Sequence, residues 1–193
     1  MTWTSASGEL AGAIDRAAEM DSEANLLARA RTEPAAFEVL YLLHQRSIWR
    51  YLRHRTGDSH AADDLAAEVF LAFLRALPDF RTRGIGLRGW LYRVATRKVA
   101  RWSRSAAARR SSGEPVEPVA GPERSGDARD RVRAALDELP QKFQAVLVLH
   151  HLEGLAVLEI AASLGVREGT VRSRLARGRE RLKENLIRNG GAE

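Results

Sequence analysis

Residues 157–177 read VLEIAASLGVREGTVRSRLAR, and this segment has the most specific pattern in the chain. Ala161, Gly165 and Val171 occupy three positions that a helix-turn-helix constrains by sterics. A small residue is needed where the two helices touch, a glycine where the turn takes a positive φ, and a branched apolar residue where the second helix packs onto the first. An ordinary helical hairpin with a basic surface would explain the charge but not this spacing. The segment therefore predicts a helix-turn-helix.

The second helix of this motif predicts contacts with duplex DNA. Its outward positions share one face, and they hold Thr170, Arg172, Ser173, Ala176 and Arg177. In a major groove, arginine can donate to guanine edges, and serine or threonine can contact a base or a phosphate. Further basic side chains along the same helix would neutralise phosphates, namely those of Arg174, Arg179, Arg181 and Lys183.

The composition excludes several classes of protein. The chain has 193 residues, a formal net charge of +6 and 45% hydrophobic residues, which is enough for globular cores. It has no cysteine, so structural disulfides, thiol catalysis and cysteine-ligated zinc are excluded. No apolar run approaches the ~20 residues of a transmembrane helix, and the amino terminus lacks the pattern of a secretory signal. We expect a soluble, cytoplasmic protein without membrane insertion.

The charge distribution predicts two modules and a linker. Residues 80–110 contain no acid and many arginines, residues 111–127 are acidic and rich in Pro and Gly, and residues 167–188 are basic again. Such a composition shift is typical of a flexible linker between domains. We therefore divide the chain into an extension (1–24), a first domain (25–104), a linker (105–128), a second domain (129–188) and a tail (189–193).

The hydrophobic periodicity predicts that both modules are helical. Apolar residues recur at helical spacing over residues 34–55, 60–77, 87–104, 130–139, 141–151, 156–164 and 168–187. Pro34 suits a first turn, Asp58 or Ser59 can cap the second of these helices, and Pro78 ends it. No segment has a convincing strand period. The predicted fold class is all-α, with two small helical domains.

Several further stretches then resemble one known family. EIAASLGVREGTVRSRLARGRERL is similar to the last domain of bacterial sigma factors. FEVLYLLHQRSIWRYLRHRTGD, ADDLAAEVFLAFLRALPDFR and LRGWLYRVATRK resemble the polymerase-binding and −10-binding domain of the extracytoplasmic-function group of the sigma-70 family. The resemblance implies a three- to four-helix sigma-2-type bundle joined to a sigma-4-type helix-turn-helix domain. It implies a sigma factor whose partners are core RNA polymerase and promoter DNA.

The resemblance assigns a polymerase-docking role to one helix of the first domain. Its acids are Asp63, Asp64 and Glu68, and its apolar contacts would come from Leu65, Val69 and Phe70. These residues alone would also fit a capped helix whose first turn carries acids that the macrodipole favours.

The resemblance also implies that the arginine-rich stretch reads the −10 element as a single strand, while the helix-turn-helix reads the −35 element as duplex. A basic groove follows phosphates, and an extruded base needs a pocket or a stacking partner. The residues concerned are Arg81, Thr82, Arg83, Gly84, Trp90, Arg93, Arg97 and Arg101. Trp90 fits the core equally well. The chain departs from the family at Ala95-Thr96-Arg97, at Arg101 and at Ala176, so a known promoter sequence cannot be transferred to it.

Two other classes of function are a stand-alone regulator and an enzyme. A stand-alone helix-turn-helix regulator would bind duplex DNA without polymerase and would have no use for the arginine-rich stretch. An enzyme is disfavoured. None of the five histidines has a metal-ligand partner at a fixed spacing, and the sequence has no nucleophile motif and no phosphate-binding glycine loop. We expect no catalytic residue, no metal and no cofactor. The resemblance adds an anti-sigma factor as a candidate partner.

Overall fold

The computed structural model describes residues 22–81, 85–111 and 128–190. The described residues contain eight α-helices and no strand, which confirms the predicted all-α class. The helices are α1 (Glu23–Arg29), α2 (Pro34–Thr56), α3 (Ser59–Ala76), α4 (Leu87–Ser111), α5 (Ala128–Asp137), α6 (Gln141–Leu147), α7 (Val157–Leu164) and α8 (Glu168–Gly190). A 3-10 turn at Leu77–Asp79 follows α3, and a π-helical turn at Val148–Leu152 follows α6.

Local sequence signals explain the ends of the first helices. Pro34 stands in the first turn of α2, where its missing N–H costs nothing, and Gly57 ends that helix with φ 75°. Asp58 caps α3, because its carboxylate accepts a hydrogen bond of 2.9 Å from the backbone N–H of His60. Of the two caps that the sequence left open, Asp58 is therefore the one used.

Helix α4 is longer than predicted. The sequence pattern placed its end at residue 104, but the helix continues to Ser111. The added residues are rich in alanine and arginine, which favour helix, and no glycine or proline interrupts them. The first part of the predicted linker is thus helical, and its remainder, residues 112–127, lies outside the described residues, as does the amino-terminal extension up to residue 21.

The helix-turn-helix forms as predicted. Ala161 and Val171 are 5% and 0% exposed, where α7 and α8 meet. Gly165 follows α7 in the left-handed region, with φ 66° and ψ 37°, and its backbone N–H bonds to the carbonyl of Ala161. A side chain at this position would strain the backbone, so the glycine permits the turn.

The helices form two units that pack on each other. The N-terminal unit contains α1–α4 and the C-terminal unit contains α5–α8. Within the first, α2 and α3 pack side by side and Tyr51, Leu52 and Phe73 are fully buried. Helix α4 of the N-terminal unit packs against α7 of the C-terminal unit. The buried apolar residues of both units belong to one connected cluster.

Candidate nucleic-acid interface

Of the five side chains that the sequence predicted to point outward from α8, four are exposed and that of Thr170 is half-buried. Arg172, Ser173, Ala176 and Arg177 are exposed, while Val171 and Leu175 on the opposite face are buried. The helix is amphipathic because the buried positions recur at i and i+4. A rigid helix thus carries a polar face that projects from the α7–α8 pair.

Three arginines of α8 differ in their surroundings. Arg172 forms a salt bridge of 2.8 Å with Glu168 one turn earlier, and both side chains are largely exposed. Arg181 lies over the ring of Phe143, with its guanidinium carbon 5.0 Å from the ring centroid. Arg174 is half-buried. Arg172 is therefore engaged in a weak ion pair, and Arg181 is held by a cation–π contact.

The second basic surface lies on α4. Arg97 and Arg101 are exposed on this helix, and Arg81 is exposed in the segment before it. Arg93 is engaged instead, because its Nε donates a hydrogen bond of 3.2 Å to the backbone carbonyl of Ala162 in α7. Thr82, Arg83 and Gly84, which the sequence placed in a strand-reading loop, lie outside the described residues.

Trp90 has features of both roles that the sequence left open, namely packing in the core and stacking of a base. Its ring packs edge-on against Phe80 at 5.6 Å between centroids and lies 6.0 Å from Phe73, so it closes one side of the N-terminal core. The indole is half-buried and also lines an open groove with Phe80 and Arg81. An aromatic wall beside an arginine is chemically suited to stacking a base.

The acidic residues of α3 form an exposed face, but the apolar residues assigned with them are in the core. Asp63, Asp64 and Glu68 are exposed. Leu65, Val69 and Phe70 are 6%, 0% and 5% exposed, which corrects the expectation that their side chains are available as surface contacts. They are buried because the i, i+4 stripe of α3 is the face that packs onto α2.

Aromatic side chains of α2 supply apolar surface beside these acids. Trp49 and Tyr41 are 36% and 37% exposed, and with Phe70 they line a groove of about 440 Å³. The indole Nε1 of Trp49 donates a hydrogen bond of 2.6 Å to Asp63 Oδ1. Glu68 forms a salt bridge of 2.5 Å with Lys98 of α4. The sequence pattern assigned Tyr41 to the apolar stripe of a core, and it did not single out Trp49.

Glu153 is the polar centre of the contact between the two units. Its side chain is fully buried, and Oε2 accepts hydrogen bonds from Arg50 at 2.7 Å and from the hydroxyl of Tyr92 at 2.8 Å. The hydrogen bond to Glu153 raises the pKa of Arg50. Burial and the nearby charge of Glu153 raise the pKa of the Tyr92 hydroxyl above its usual range. None of these residues was singled out from the sequence.

Two kinds of feature are absent from the described residues. No cluster of three or more His, Asp or Glu side chains there could hold a metal ion. No described helix is both long and apolar enough to cross a membrane.

Two family models match the chain. Residues 40–109 match the model of Sigma-70 region 2, and residues 129–182 match that of Sigma-70 region 4. The two matched segments contain most of the N-terminal unit and nearly all of the C-terminal unit.

Similar curated proteins include two extracytoplasmic-function sigma factors. SigD, an extracytoplasmic-function RNA polymerase sigma factor of Mycobacterium tuberculosis, is 37% identical over 157 residues, which is 74% of this chain and 73% of SigD. The corresponding SigE of Mycolicibacterium smegmatis is 32% identical over 163 residues, which is 80% of this chain. This chain spans 63% of the length of SigE.

Two solved complexes contain a chain with a similar arrangement of helices. In the structure of CnrH in complex with the cytosolic domain of CnrY, the matched chain is 26% identical, with a TM-score of 0.66 over 86% of this chain and 97% of the matched chain. RpoE in complex with the anti-sigma factor NepR from Bartonella quintana has a TM-score of 0.67 over 78% of this chain and 96% of RpoE. At 21% identity, the RpoE structure supports the fold alone.

Proposed function

The chain belongs to the extracytoplasmic-function group of sigma-70 RNA polymerase sigma factors, and we propose that it binds core RNA polymerase and directs it to promoters. It would act in the bacterial cytoplasm as a non-enzymatic specificity subunit. The observation that carries the proposal is the exposed polar face of α8 on a complete helix-turn-helix, in one chain with a region 2 bundle. A stand-alone regulator would need the helix-turn-helix but would not need the region 2 bundle.

In this proposal, α8 reads the −35 element in the major groove. Arg172, Ser173 and Arg177 are exposed side chains that can reach base edges, and Thr170 lies near the start of the same helix. Ala176 leaves room for a thymine methyl group. Arg174 and Arg181 are assigned to phosphates. Arg174 is half-buried and Arg181 is held over the ring of Phe143, so both side chains have a restricted reach.

The arginine-rich surface of α4 is assigned to the −10 element as a single strand. Arg81, Arg97 and Arg101 are exposed and can follow phosphates, and Trp90 beside Phe80 offers an aromatic wall to an unstacked base. Arg93 lies on the same helix and joins this surface when its contact with Ala162 is released. The assignment of Thr82, Arg83 and Gly84 rests on the family resemblance alone.

We assign polymerase docking to the exposed acids of α3 together with the aromatic groove of α2. Asp63, Asp64 and Glu68 present negative charge, while Tyr41 and Trp49 present apolar surface next to it. Leu65 and Val69 support this face from beneath, and Phe70, although 5% exposed, lines the groove itself. A charged rim around an aromatic patch is typical of protein interfaces.

Charge reversal tests the docking face. In a chain carrying Asp63→Lys, Asp64→Lys and Glu68→Lys, we expect the affinity for core polymerase to fall on the order of 10–100-fold, because like charges then face the partner. Affinity would be measured by titrating labelled chain with core enzyme, and helicity by circular dichroism. Glu180→Lys with Glu184→Lys, both exposed on α8, is the control. Unchanged affinity in the α3 variant would remove this docking face.

A further inference from the structure

Helix α1 contacts both segments that line the groove assigned above to an unstacked base. The turn after α3 supplies Phe80 and Arg81 to this groove, and the start of α4 supplies Trp90. The groove has a volume of about 460 Å³. A base can stack there beside an arginine only if the two segments keep a fixed separation, so the contacts that hold them bear on the function of the groove.

Glu23 of α1 caps the start of α4. Its Oε1 accepts a hydrogen bond of 3.0 Å from the backbone N–H of Leu87, which is the first residue of α4 and lies 64 positions later in the chain. Gly86 precedes the helix and has no side chain to cap it, and a Cβ there would lie 3.2 Å from Glu23 Oε1. The first N–H groups of a helix lack a partner within the helix and carry partial positive charge, so a carboxylate from α1 stabilises this end of α4.

Arg31, in the turn after α1, holds the other segment. Its Nη2 donates a hydrogen bond of 2.9 Å to the backbone carbonyl of Phe80, which lies 49 positions later. Arg81 donates to the same carbonyl at 3.4 Å. Arg31 and Arg81 also line a smaller groove of about 140 Å³ between α1 and Phe80. Two guanidinium groups therefore fix the backbone at Phe80, and hydrogen bonds from charged donors are stronger than those from neutral donors.

Helix α1 is itself anchored to the N-terminal unit. Leu26, Leu27 and Ala30 are 4%, 5% and 7% exposed, and the helix packs against α2. The Ser22 side chain caps its first turn by accepting a hydrogen bond of 3.3 Å from the backbone N–H of Asn25. Side chains that extend from a buried and capped helix start from a fixed position, so they can position the segments that they contact.

The stability of α1 alone does not account for these contacts. An acid in the first turn, such as Glu23, is favoured by the dipole of its own helix in whichever direction its side chain points. This effect explains neither the hydrogen bond to Leu87 nor the contact of Arg31 with the Phe80 carbonyl. Both residues also precede residues 40–109, the stretch that matches Sigma-70 region 2.

We infer that α1 is a positioning element for recognition of the −10 strand. Glu23 fixes the start of α4 and Arg31 fixes Phe80, so that Arg81 and Trp90 meet an unstacked base in one defined geometry. The inference rests on the proposed function, because it concerns the surface assigned there to the −10 element. Glu23 carries a negative charge that phosphates repel, so its role is to position other residues and not to bind DNA.

Glu23→Ala is a test in which charge and positioning predict opposite signs. By charge alone, loss of a carboxylate favours binding of DNA. Loss of the cap should instead lower the formation of open complexes by the holoenzyme roughly three- to tenfold. Open complexes would be measured by permanganate oxidation of unpaired thymines on a promoter selected with the unsubstituted chain.

Glu33→Ala is the matched control, because it removes an exposed acid whose carboxylate pairs locally with Arg29. Glu23→Gln keeps an oxygen that can accept the N–H of Leu87, so it should retain most of the activity. Affinity for core polymerase and binding of a −35 duplex should stay within about twofold in all three variants. The positioning role is overturned if Glu23→Ala forms open complexes as well as Glu33→Ala does, or if it loses affinity for core polymerase and duplex to the same extent.

Arg31→Ala distinguishes positioning from a direct phosphate contact. We expect the affinity of the holoenzyme for a single-stranded −10 oligonucleotide to fall about fivefold with an unchanged salt slope, because Arg31 acts on Phe80. Arg75→Ala, which removes an exposed arginine of α3, should have little effect. A salt slope lower by about 0.7, the value for one phosphate of a single strand, would make Arg31 a DNA contact and contradict its positioning role.

Hydrogen exchange of the Leu87 amide separates this inference from the proposed function, because the measurement needs no polymerase. In the free chain, we expect NMR to show exchange about fivefold faster in Glu23→Ala than in the unsubstituted chain or in Glu33→Ala, since the amide loses its acceptor. Equal exchange rates would overturn the role of Glu23. If the rates differ as expected but the unsubstituted chain forms no complex with core polymerase, it is the proposed function that fails.

Discussion

Arg177→Ala is the substitution that most directly tests whether α8 reads bases. Arg177 is exposed on the outer face of α8, and within the described part of the chain no salt bridge joins it to a carboxylate. A side chain that is already free gives up little on binding DNA. If Arg177 bonds to a guanine edge, its removal should cost about 1–3 kcal/mol at the −35 element, or roughly 5–150-fold in affinity.

Arg172→Ala provides the internal comparison. Arg172 must first leave Glu168, with which it forms an exposed pair at i, i+4. Such a pair contributes about 0.3–0.5 kcal/mol, so the net loss for Arg172→Ala should be smaller than for an equivalent free arginine by about that amount. Glu168→Gln should correspondingly tighten binding by up to about twofold, because it removes the competing carboxylate.

The assay is fluorescence anisotropy of the full chain on a duplex selected from a random pool, with an unrelated duplex beside it. A base contact weakens only the selected duplex, whereas a phosphate contact weakens both and lowers the salt slope by about 1. Arg75→Ala, an exposed arginine on α3, controls for the loss of charge. Equal losses on both duplexes would refute base reading by Arg177, and no loss on either would remove this face of α8 from the DNA interface.

Two further predictions concern stability. Leu175→Ala, at a side chain 4% exposed, should lower the free energy of unfolding by about 2–5 kcal/mol in denaturant titrations, whereas Leu158→Ala, 64% exposed, should change it little; equal effects would contradict the α7–α8 packing. Burial lowers the pKa values of His44 and His54. Their stabilising contribution is complete above the unfolded pKa of about 6.5 and is lost as pH falls below it, so the unfolding temperature should drop between about pH 7.5 and 5.5. His44→Gln with His54→Gln should flatten that drop, and a drop of unchanged size would show that other groups cause it.

The helix-turn-helix could be predicted because its determinants are local. Ala161, Gly165 and Val171 lie within eleven residues of one another, and each satisfies a steric requirement of the backbone at its position. The position of Gly165 in the left-handed region and the burial of Val171 follow from that demand. The exposed face of α8 then follows from helical periodicity alone.

The contact between the two units could not be predicted, because its members are distant in sequence. Glu153 meets Tyr92 across 61 residues and Arg50 across 103, and a lone glutamate beside a glycine reads as an exposed turn. The apolar stripe of α3 can be predicted from the sequence, but the surface that it contacts cannot. Leu65 and Val69 fit both a docking face and a core, and only the position of α2 decides between them.

We propose that this chain gives core RNA polymerase its promoter specificity, and initiation in a purified system tests this role most directly. Core enzyme would be mixed with the chain and a pool of genomic fragments, and the 5′ ends of the transcripts would be mapped. We expect a stable complex and transcripts that start at discrete sites only when the chain is present. A chain that binds duplex DNA tightly but forms no complex with core polymerase would contradict the claim and identify a stand-alone regulator.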